Sequence, residues 1–242
     1  MNNESYKIMI SSYNHWWYKA RRKIIKKVLD TYINKRLDHG VLEIGCGNGA
    51  NIELLSNYGD FSGVEMESST RKIAKKINPN IYSGYLPNNI ESNQTYSLIC
   101  LLDVLEHIER DIDSLITISN MLNNKGNLLI TVPAYKFLWN VHDDACHHKR
   151  RYILKDLTKK LEATGYSIKY QTYFNNFLFL PITIMKLLSK FKKKPKNELI
   201  TFNNISIFNN FFEKIFSFEA FFLPKHKFRF GISILILAEK NN

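Results

Sequence analysis

The apolar positions of this chain follow two alternating rhythms. Near the start, Trp16, Trp17, Ala20, Ile24, Ile25, Val28, Leu29, Tyr32 and Ile33 recur at helical spacing, while Arg21, Arg22, Lys23, Lys26 and Lys27 fill much of the other side. The spacing predicts an amphipathic helix with a basic outer face. Further on, short apolar runs at 40–45, 61–65, 81–83, 96–102, 127–133, 166–173 and 231–238 predict strands, and helical periodicity at about 49–57, 67–77, 111–122 and 153–163 fills the gaps. Strands alternating with helices predict an α/β fold: a mostly parallel sheet with helices on both faces, right-handed crossovers, and a ligand crevice at the carboxyl ends of the strands.

The final strand departs from this rhythm. It follows Pro224, the basic segment Lys225-His226-Lys227 and Gly231, with no crossover helix immediately before it. No Pro/Gly/Ser-rich linker divides the chain, so a single domain over 1–242 is expected. Its parts are an N-terminal helical cap (1–37), a ligand-binding core (38–173), an apolar and basic helical insert (174–224) and a last strand (225–242).

The densest chemical signal lies at 41–50, Val-Leu-Glu-Ile-Gly-Cys-Gly-Asn-Gly-Ala, where three of the ten glycines fall within five positions directly after an apolar run. A strand entering a glycine turn and then a helix lets a ligand lie against bare backbone. The pattern alone is ambiguous. Gly45-x-Gly47-x-x-Ala50 also satisfies a dinucleotide fingerprint, and Glu65, 20 residues after Gly45, could hold a ribose in either case. Glu43 lies inside the strand, where a buried carboxylate needs a reason: it either serves a ligand's ammonium group or caps the turn's own amides.

A second constellation, Leu101-Leu102-Asp103-Val104-Leu105-Glu106-His107-Ile108, closes the fourth strand. Together with Glu43-x-Gly45-x-Gly47-x-Gly49 and Val64-Glu65, it resembles the S-adenosylmethionine-dependent methyltransferases of the Rossmann-like, seven-stranded class, over about residues 40 to 173 and again at 231 to 238. The resemblance implies S-adenosyl-L-methionine as cofactor and S-adenosyl-L-homocysteine as product. It places Glu43, Gly45, Cys46, Gly47 and Gly49 around the methionine part, Glu65 on the ribose hydroxyls, Met66 against the adenine, and Leu102 and Asp103 along the pocket beneath it. In Ser83-Gly84-Tyr85-Leu86-Pro87 there is no acid where many members carry one for the adenine amine. Backbone or Tyr85 must do that work there, beside Leu86.

Finer similarity adds His15-Trp16-Trp17-Tyr18 through Arg22, and Val132-Pro133-Ala134-Tyr135 through Tyr152. These segments look like a bacterial subgroup often found alongside glycosyltransferases of polyprenyl-linked sugar pathways. A small-molecule, sugar or lipid-linked acceptor is therefore expected, with Trp17, Tyr18, Tyr135, Arg150 and Arg151 as its contacts. The runner-up reading is an RNA or protein methyltransferase that uses the basic surface. It is disfavoured because no RNA-binding module is appended and Asp103-Val104-Leu105-Glu106 stands where amino-group methylation would want an Asn/Asp-Pro-Pro-Tyr motif. A third reading is a non-catalytic cofactor-binding subunit.

Methyl transfer from a sulfonium is an in-line displacement, so a general base helps only where the nucleophile must lose a proton. His107, just past the fourth strand, is the first candidate base, and its bland alternative is a locally bonded helix-start histidine. His142 follows on the loop after the fifth strand, with Asp143 beside it to orient an imidazole. Arg150 and Arg151 read either as a solvated helix entrance or as a bidentate grip on phosphate or carboxylate. His142/Cys146 and Asp144/His148 are each four apart, yet no paired zinc spacing appears and no metal is expected.

Composition narrows the setting. Three cysteines, Cys46, Cys100 and Cys146, suit a reducing compartment better than a disulfide framework. The first seven residues lack the apolar core of a signal peptide, and the longest apolar run, Phe177 to Leu188, contains Pro181 and Lys186 and falls short of the roughly 20 residues that span a bilayer. A cytoplasmic protein is expected, peripheral at the inner membrane face if it meets a membrane. The net charge of +12 calls for an anionic partner. Lys190, Lys192, Lys193, Lys194 and Lys196, together with Phe208, Phe211, Phe212, Ile215, Phe216, Phe218, Phe221 and Phe222, make the insert either an interfacial membrane element or a cap over the pocket. Nucleic acid is the weaker partner choice, and oligomeric state is not legible.

Overall fold

The computed structural model describes residues 15–33, 35–90, 94–189 and 206–242, with side chains described outside 185–189 and 206–212. The N-terminal helix α1 (Trp16–Tyr32) opens on His15, whose imidazole accepts from the Trp17 amide at 3.3 Å. Its apolar stripe, Ala20, Ile24, Ile25, Val28 and Leu29, is fully buried. One residue departs from the expected basic outer face: Arg21 is 3% exposed, drawn inward by an ion pair with Asp103.

After α1 the chain alternates. It runs through β1 (Leu37–Ile44), α2 (Ile52–Leu55), β2 (Gly59–Val64), α3 (Ser68–Ile77), β3 (Ile81–Tyr82), β4 (Tyr96–Leu102), α4 (Asp111–Met121), β5 (Leu122–Pro133), α5 (Val141–Ala145), α6 (Leu154–Ala163), β6 (Tyr166–Phe174), α7 (Phe179–Ser189), α8 (Ser206–Phe222) and β7 (Ser233–Lys240). The seven strands form one sheet in the order β3-β2-β1-β4-β5-β7-β6. β1 to β5 pair in parallel, and β7 runs antiparallel to both of its neighbours. The chain therefore winds outward from β1 to β3 and returns to the other side of β1 at β4. The topological switch point lies between β1 and β4.

The strands sort their side chains by a period of two. Val41, Leu98, Cys100, Leu102, Leu129, Leu235 and Leu237 pack under α1 and α8 with Leu29 and Phe216. Leu42, Ile44, Ile99, Leu101, Leu128, Ile130 and Ile236 pack on the opposite face with Leu115, Ile118, Leu157 and Leu161. Runs such as Tyr96–Leu102, buried at every position, belong to strands covered on both faces.

Two elements differ from expectation. The helix expected at 49–57 is confined to the four residues of α2, with turns at 50–51 and 56–58, and Asn51, in the capping position, makes no side-chain cap and donates its amide to Glu43. The insert is two-faced. In α8, Phe216 is fully buried against Trp17 (ring centroids 5.0 Å) and stacked on Phe174 (5.9 Å), whereas Phe218 and Phe221 are 57% and 77% exposed. Glu219, also buried, accepts from the Phe177 amide at 2.9 Å and so ties α8 to the entry of α7. The lysine run at 190–196 lies outside the described residues. Among those described, no helix is long and apolar enough to cross a membrane.

Candidate functional site

The register aligns the carboxyl ends of the central strands, with Ile44 opposite both Val64 and Leu101, and Leu102 opposite Thr131. The loops that leave these strands therefore meet along one edge at the switch point.

The glycine loop leaves β1 with Gly45, Gly47 and Gly49 all at positive φ (+76°, +56° and +85°). A Cβ on Gly45 would come within 2.6 Å of the Val104 side chain, and one on Gly49 within 2.6 Å of Ile52. Both positions require glycine for conformation and for space. The two carboxylates beside the loop have different tasks. Glu65 binds the loop itself: one oxygen accepts from the Gly47 amide and the other from the Glu67 amide, each at 2.8 Å. Burial raises its pKa, with the amide bonds acting in the opposite sense. Glu43 is 1% exposed, takes the Asn51 amide on Oε1 at 2.6 Å, and has no partner for Oε2. Burial pushes its carboxyl up to about 7. A buried carboxylate oxygen without a donor is costly, and a ligand ammonium would supply the missing donor.

Beside the loop, Cys46 and Leu86 are buried and Met66 is 67% exposed. Leu102 ends β4 inside the core, and Asp103 turns the chain at φ +60°. Asp103 accepts from the Thr131 hydroxyl at 2.9 Å on one oxygen and is paired with Arg21 on the other. That ion pair clamps α1 against the exit of β4. It brings along Tyr18, whose ring lies 5.1 Å from the Arg21 guanidinium carbon, and Trp17, which is packed on α8.

The segment 134–152 forms a closed loop over the ends of β4 and β5. Tyr152 returns to Pro133 (N to O, 3.0 Å), and the Lys149 amide donates to the Glu106 carbonyl at 2.8 Å. At its centre lies Asp143, fully buried. Its carboxylate receives Arg151 on both oxygens (2.8 Å each), His148 Nδ1 at 2.8 Å and the Asn140 amide at 2.8 Å. Burial opposes its ionisation, but these donors hold Asp143 well below the usual carboxylate range. The histidine that Asp143 orients is thus His148, five residues on, and not the neighbouring His142. His142 instead approaches Cys146, with Sγ to Nε2 at 3.5 Å, and its pKa is lowered by burial and by His148. His107 lies edge-on to His148 with ring centroids 4.6 Å apart; burial first, and His148 second, push it down to about 4. Glu106 is fully buried with neither carboxylate oxygen bonded, and burial followed by the charge of Asp103 raises its pKa well above the usual range.

The two arginines expected to grip an anion are engaged inside the protein. Arg151 is held by Asp143 and also donates to the Ala134 carbonyl at 3.1 Å, while Arg150 reaches Asp111 at 3.0 Å and the Glu109 carbonyl at 2.9 Å. Tyr135, at φ +56°, stacks on Tyr173 at 5.1 Å and lies beside Phe137 and Phe179. Burial raises its hydroxyl pKa. Sequence reasoning did not assign Arg21, Asn51, Glu106 or His148. Glu106 stood in the stretch after the fourth strand and His148 in a pair weighed for metal, yet neither was given a role, and Arg21 had been placed on the basic outer face.

A family model described as a methyltransferase domain matches residues 13–171. A curated relative, the mitochondrial ubiquinone biosynthesis O-methyltransferase of Dictyostelium discoideum, is 27% identical over 116 residues; the match covers 40% of this chain and only 36% of that protein. Among solved structures, the methyltransferase in complex with the Haloferax volcanii Trm112 methyltransferase activator superposes with a TM-score of 0.63 at 11% identity, covering 99% of this chain and 96% of the other. The plantazolicin methyltransferase BamL, in complex with a triazolic desmethylPZN analog and SAH, gives 0.60 at 13% identity, covering 98% and 91%. At these identities the structural likeness concerns the fold.

Proposed function

The chain belongs to the methyltransferase-domain family and is an S-adenosylmethionine-dependent methyltransferase of the Rossmann-like class, and from that premise we propose that it methylates a hydroxyl of a small-molecule or lipid-linked acceptor. The observation that carries the cofactor part of this reading is the unpartnered Oε2 of buried Glu43, above a loop of three positive-φ glycines at the switch point. The residues fit the cofactor. Glu43 offers an acceptor for the methionine ammonium, Glu65 keeps lone pairs for ribose hydroxyls while bracing the loop, and Met66 offers an exposed apolar face to the adenine. Bound there, S-adenosylmethionine supplies a methyl carbon activated by its sulfonium.

The protein's own contribution is placement and exclusion of water. The Arg21–Asp103 pair holds α1 over the exit of β4, and the loop 134–152 covers the ends of β4 and β5. A histidine at the crevice would take the proton that an acceptor hydroxyl must lose when its oxygen receives the methyl group. His107 and His142 were the expected receivers, and the fold adds His148 beside them. A hydroxyl acceptor also accords with the O-methyltransferase name of the Dictyostelium relative. A lipid-linked acceptor is supported by the exposed rings of Phe218 and Phe221 on α8, near the basic segment Lys225 to Lys227.

The test uses methyl-labelled cofactor with pools of extracted lipids and of water-soluble metabolites. Label is expected in a hydroxyl-derived ether, and recovery only as a methylated amine or polymer would overturn the proposal. Flotation with anionic vesicles is expected to show salt-sensitive association. Absence of association would remove the lipid-linked option and leave the soluble one.

A further inference from the structure

We propose that Glu106, His107 and His148 form a binding site for one divalent transition-metal ion of the zinc or cobalt kind. A ligand atom from each lies within 4.8 Å of the other two. Contraction to a shared ion is a small movement for side chains on two loops already stitched together by the Lys149–Glu106 bond.

Two further observations point to a cation. The first is Glu106 itself: the side chain is fully buried and neither oxygen has a hydrogen-bond partner. Neither nearby guanidinium bonds it: Arg21 pairs with Asp103 and keeps its Nε unbonded, and Arg151 is held on both oxygens of Asp143. A buried carboxyl in that position either keeps its proton or is joined by a cation. The second is the support behind His148. Asp143 accepts from Nδ1 at 2.8 Å, and Arg151 and the Asn140 amide fix Asp143 in turn. That leaves Nε2 as the nitrogen with a free lone pair. A carboxylate bonded to the far nitrogen of an imidazole is the arrangement that orients metal-binding histidines and strengthens them as ligands.

Two imidazoles and one carboxylate form a three-ligand set that leaves a fourth position open, the pattern of sites where the ion acts on a substrate oxygen. On the methyl-transfer reading, an acceptor hydroxyl in that position would lose its proton more easily, and His142 is the histidine left to receive it. The binding of the ion does not depend on that reading.

The experiment titrates cobalt(II), and zinc(II) in competition, into chelator-treated, dialysed protein, following the visible bands of bound cobalt. No acceptor or turnover is involved, so the result stands apart from the assignment of the reaction. Saturation at a single ion per chain is expected. Glu106→Gln and His148→Gln should each weaken binding about tenfold or more, and Asp143→Asn, which removes the carboxylate behind His148 together with the charge that faces Arg151, by about 10- to 100-fold. Cys146→Ser should leave it unchanged. S-adenosylhomocysteine binding by each variant establishes that it is folded. Two results would overturn the proposal: no saturable ion binding by protein that binds S-adenosylhomocysteine, or binding untouched in Glu106→Gln but lost in Cys146→Ser, which would assign the ion to the His142–Cys146 pair.

Discussion

The glycine loop after β1 and the closed loop after β5 face the same crevice and are built in opposite ways. The first is set by backbone. Three glycines at positive φ fix its path, and its carboxylates act within the segment or on an adjacent strand end, Glu43 with Asn51 and Glu65 with Gly47. The second is set by side chains. One buried carboxylate, Asp143, gathers Asn140, His148 and Arg151, and Glu106 arrives from another strand. A backbone-built site is readable from residue order, because a run of glycines admits few conformations. A network built from side chains is readable only once the loop has closed.

The largest expected effect breaks the second region. Asp143→Ala leaves Arg151 buried without its partner, and removing one member of a buried pair costs about 3–5 kcal/mol. The denaturant midpoint of the variant should fall accordingly. Replacing both, as Asp143→Leu with Arg151→Met, should recover much of that loss while leaving His148 without its support. A double variant as unstable as Asp143→Ala would show that the network is not organised around this pair.

The next effect breaks the first region. Gly45→Ala places a side chain at φ +76° and within 2.6 Å of Val104, so about 1–2 kcal/mol of backbone strain adds to a clash. If the proposed site holds, cofactor affinity should fall more than stability does, because the displaced backbone would be what the ligand lies against. Calorimetry beside a thermal melt separates the two, and equal losses in both would contradict a binding role for the loop.

A smaller effect sharpens the comparison through pH. The carboxyl of Glu43 stands at about 7 in the folded chain against 4.5 unperturbed, so the folded state binds the proton more tightly than the unfolded one. Its contribution to stability is therefore greatest below about pH 4.5 and declines as pH rises toward 7. Cofactor binding runs the other way, because the ammonium needs the ionised form. Affinity should rise through about pH 6 to 7.5, by at most about tenfold per unit, and Glu43→Gln should flatten that rise. The smallest effect is expected at Met66→Ala: the side chain is 67% exposed, so stability should move by no more than about 0.5 kcal/mol in a melt, with a modest loss of cofactor affinity.

The same contrast explains what the sequence disclosed. Strand positions, the parallel order and the crevice follow from periodicity and glycine placement, and the observed sheet agrees with them. Asp143 was tied to the wrong imidazole because adjacency in sequence suggested His142, whereas the tight turn at His147, with φ +57°, swings His148 back onto the carboxylate. Arg21 read as surface charge because its partner is 82 residues away. Phe216 and Phe218, two residues apart on α8, look alike in sequence and end on opposite sides of the helix, one buried and one exposed.

The central claim is that the crevice between β1 and β4 takes S-adenosylmethionine through Glu43. Calorimetric titration of S-adenosylmethionine and of NAD into the wild-type chain and into Glu43→Gln at neutral pH tests it most directly. S-adenosylmethionine should bind and NAD should not, with binding about tenfold or more weaker in Glu43→Gln, as expected for a lost charged hydrogen bond. Binding of NAD without S-adenosylmethionine, or equal S-adenosylmethionine affinity in the two proteins, would contradict it.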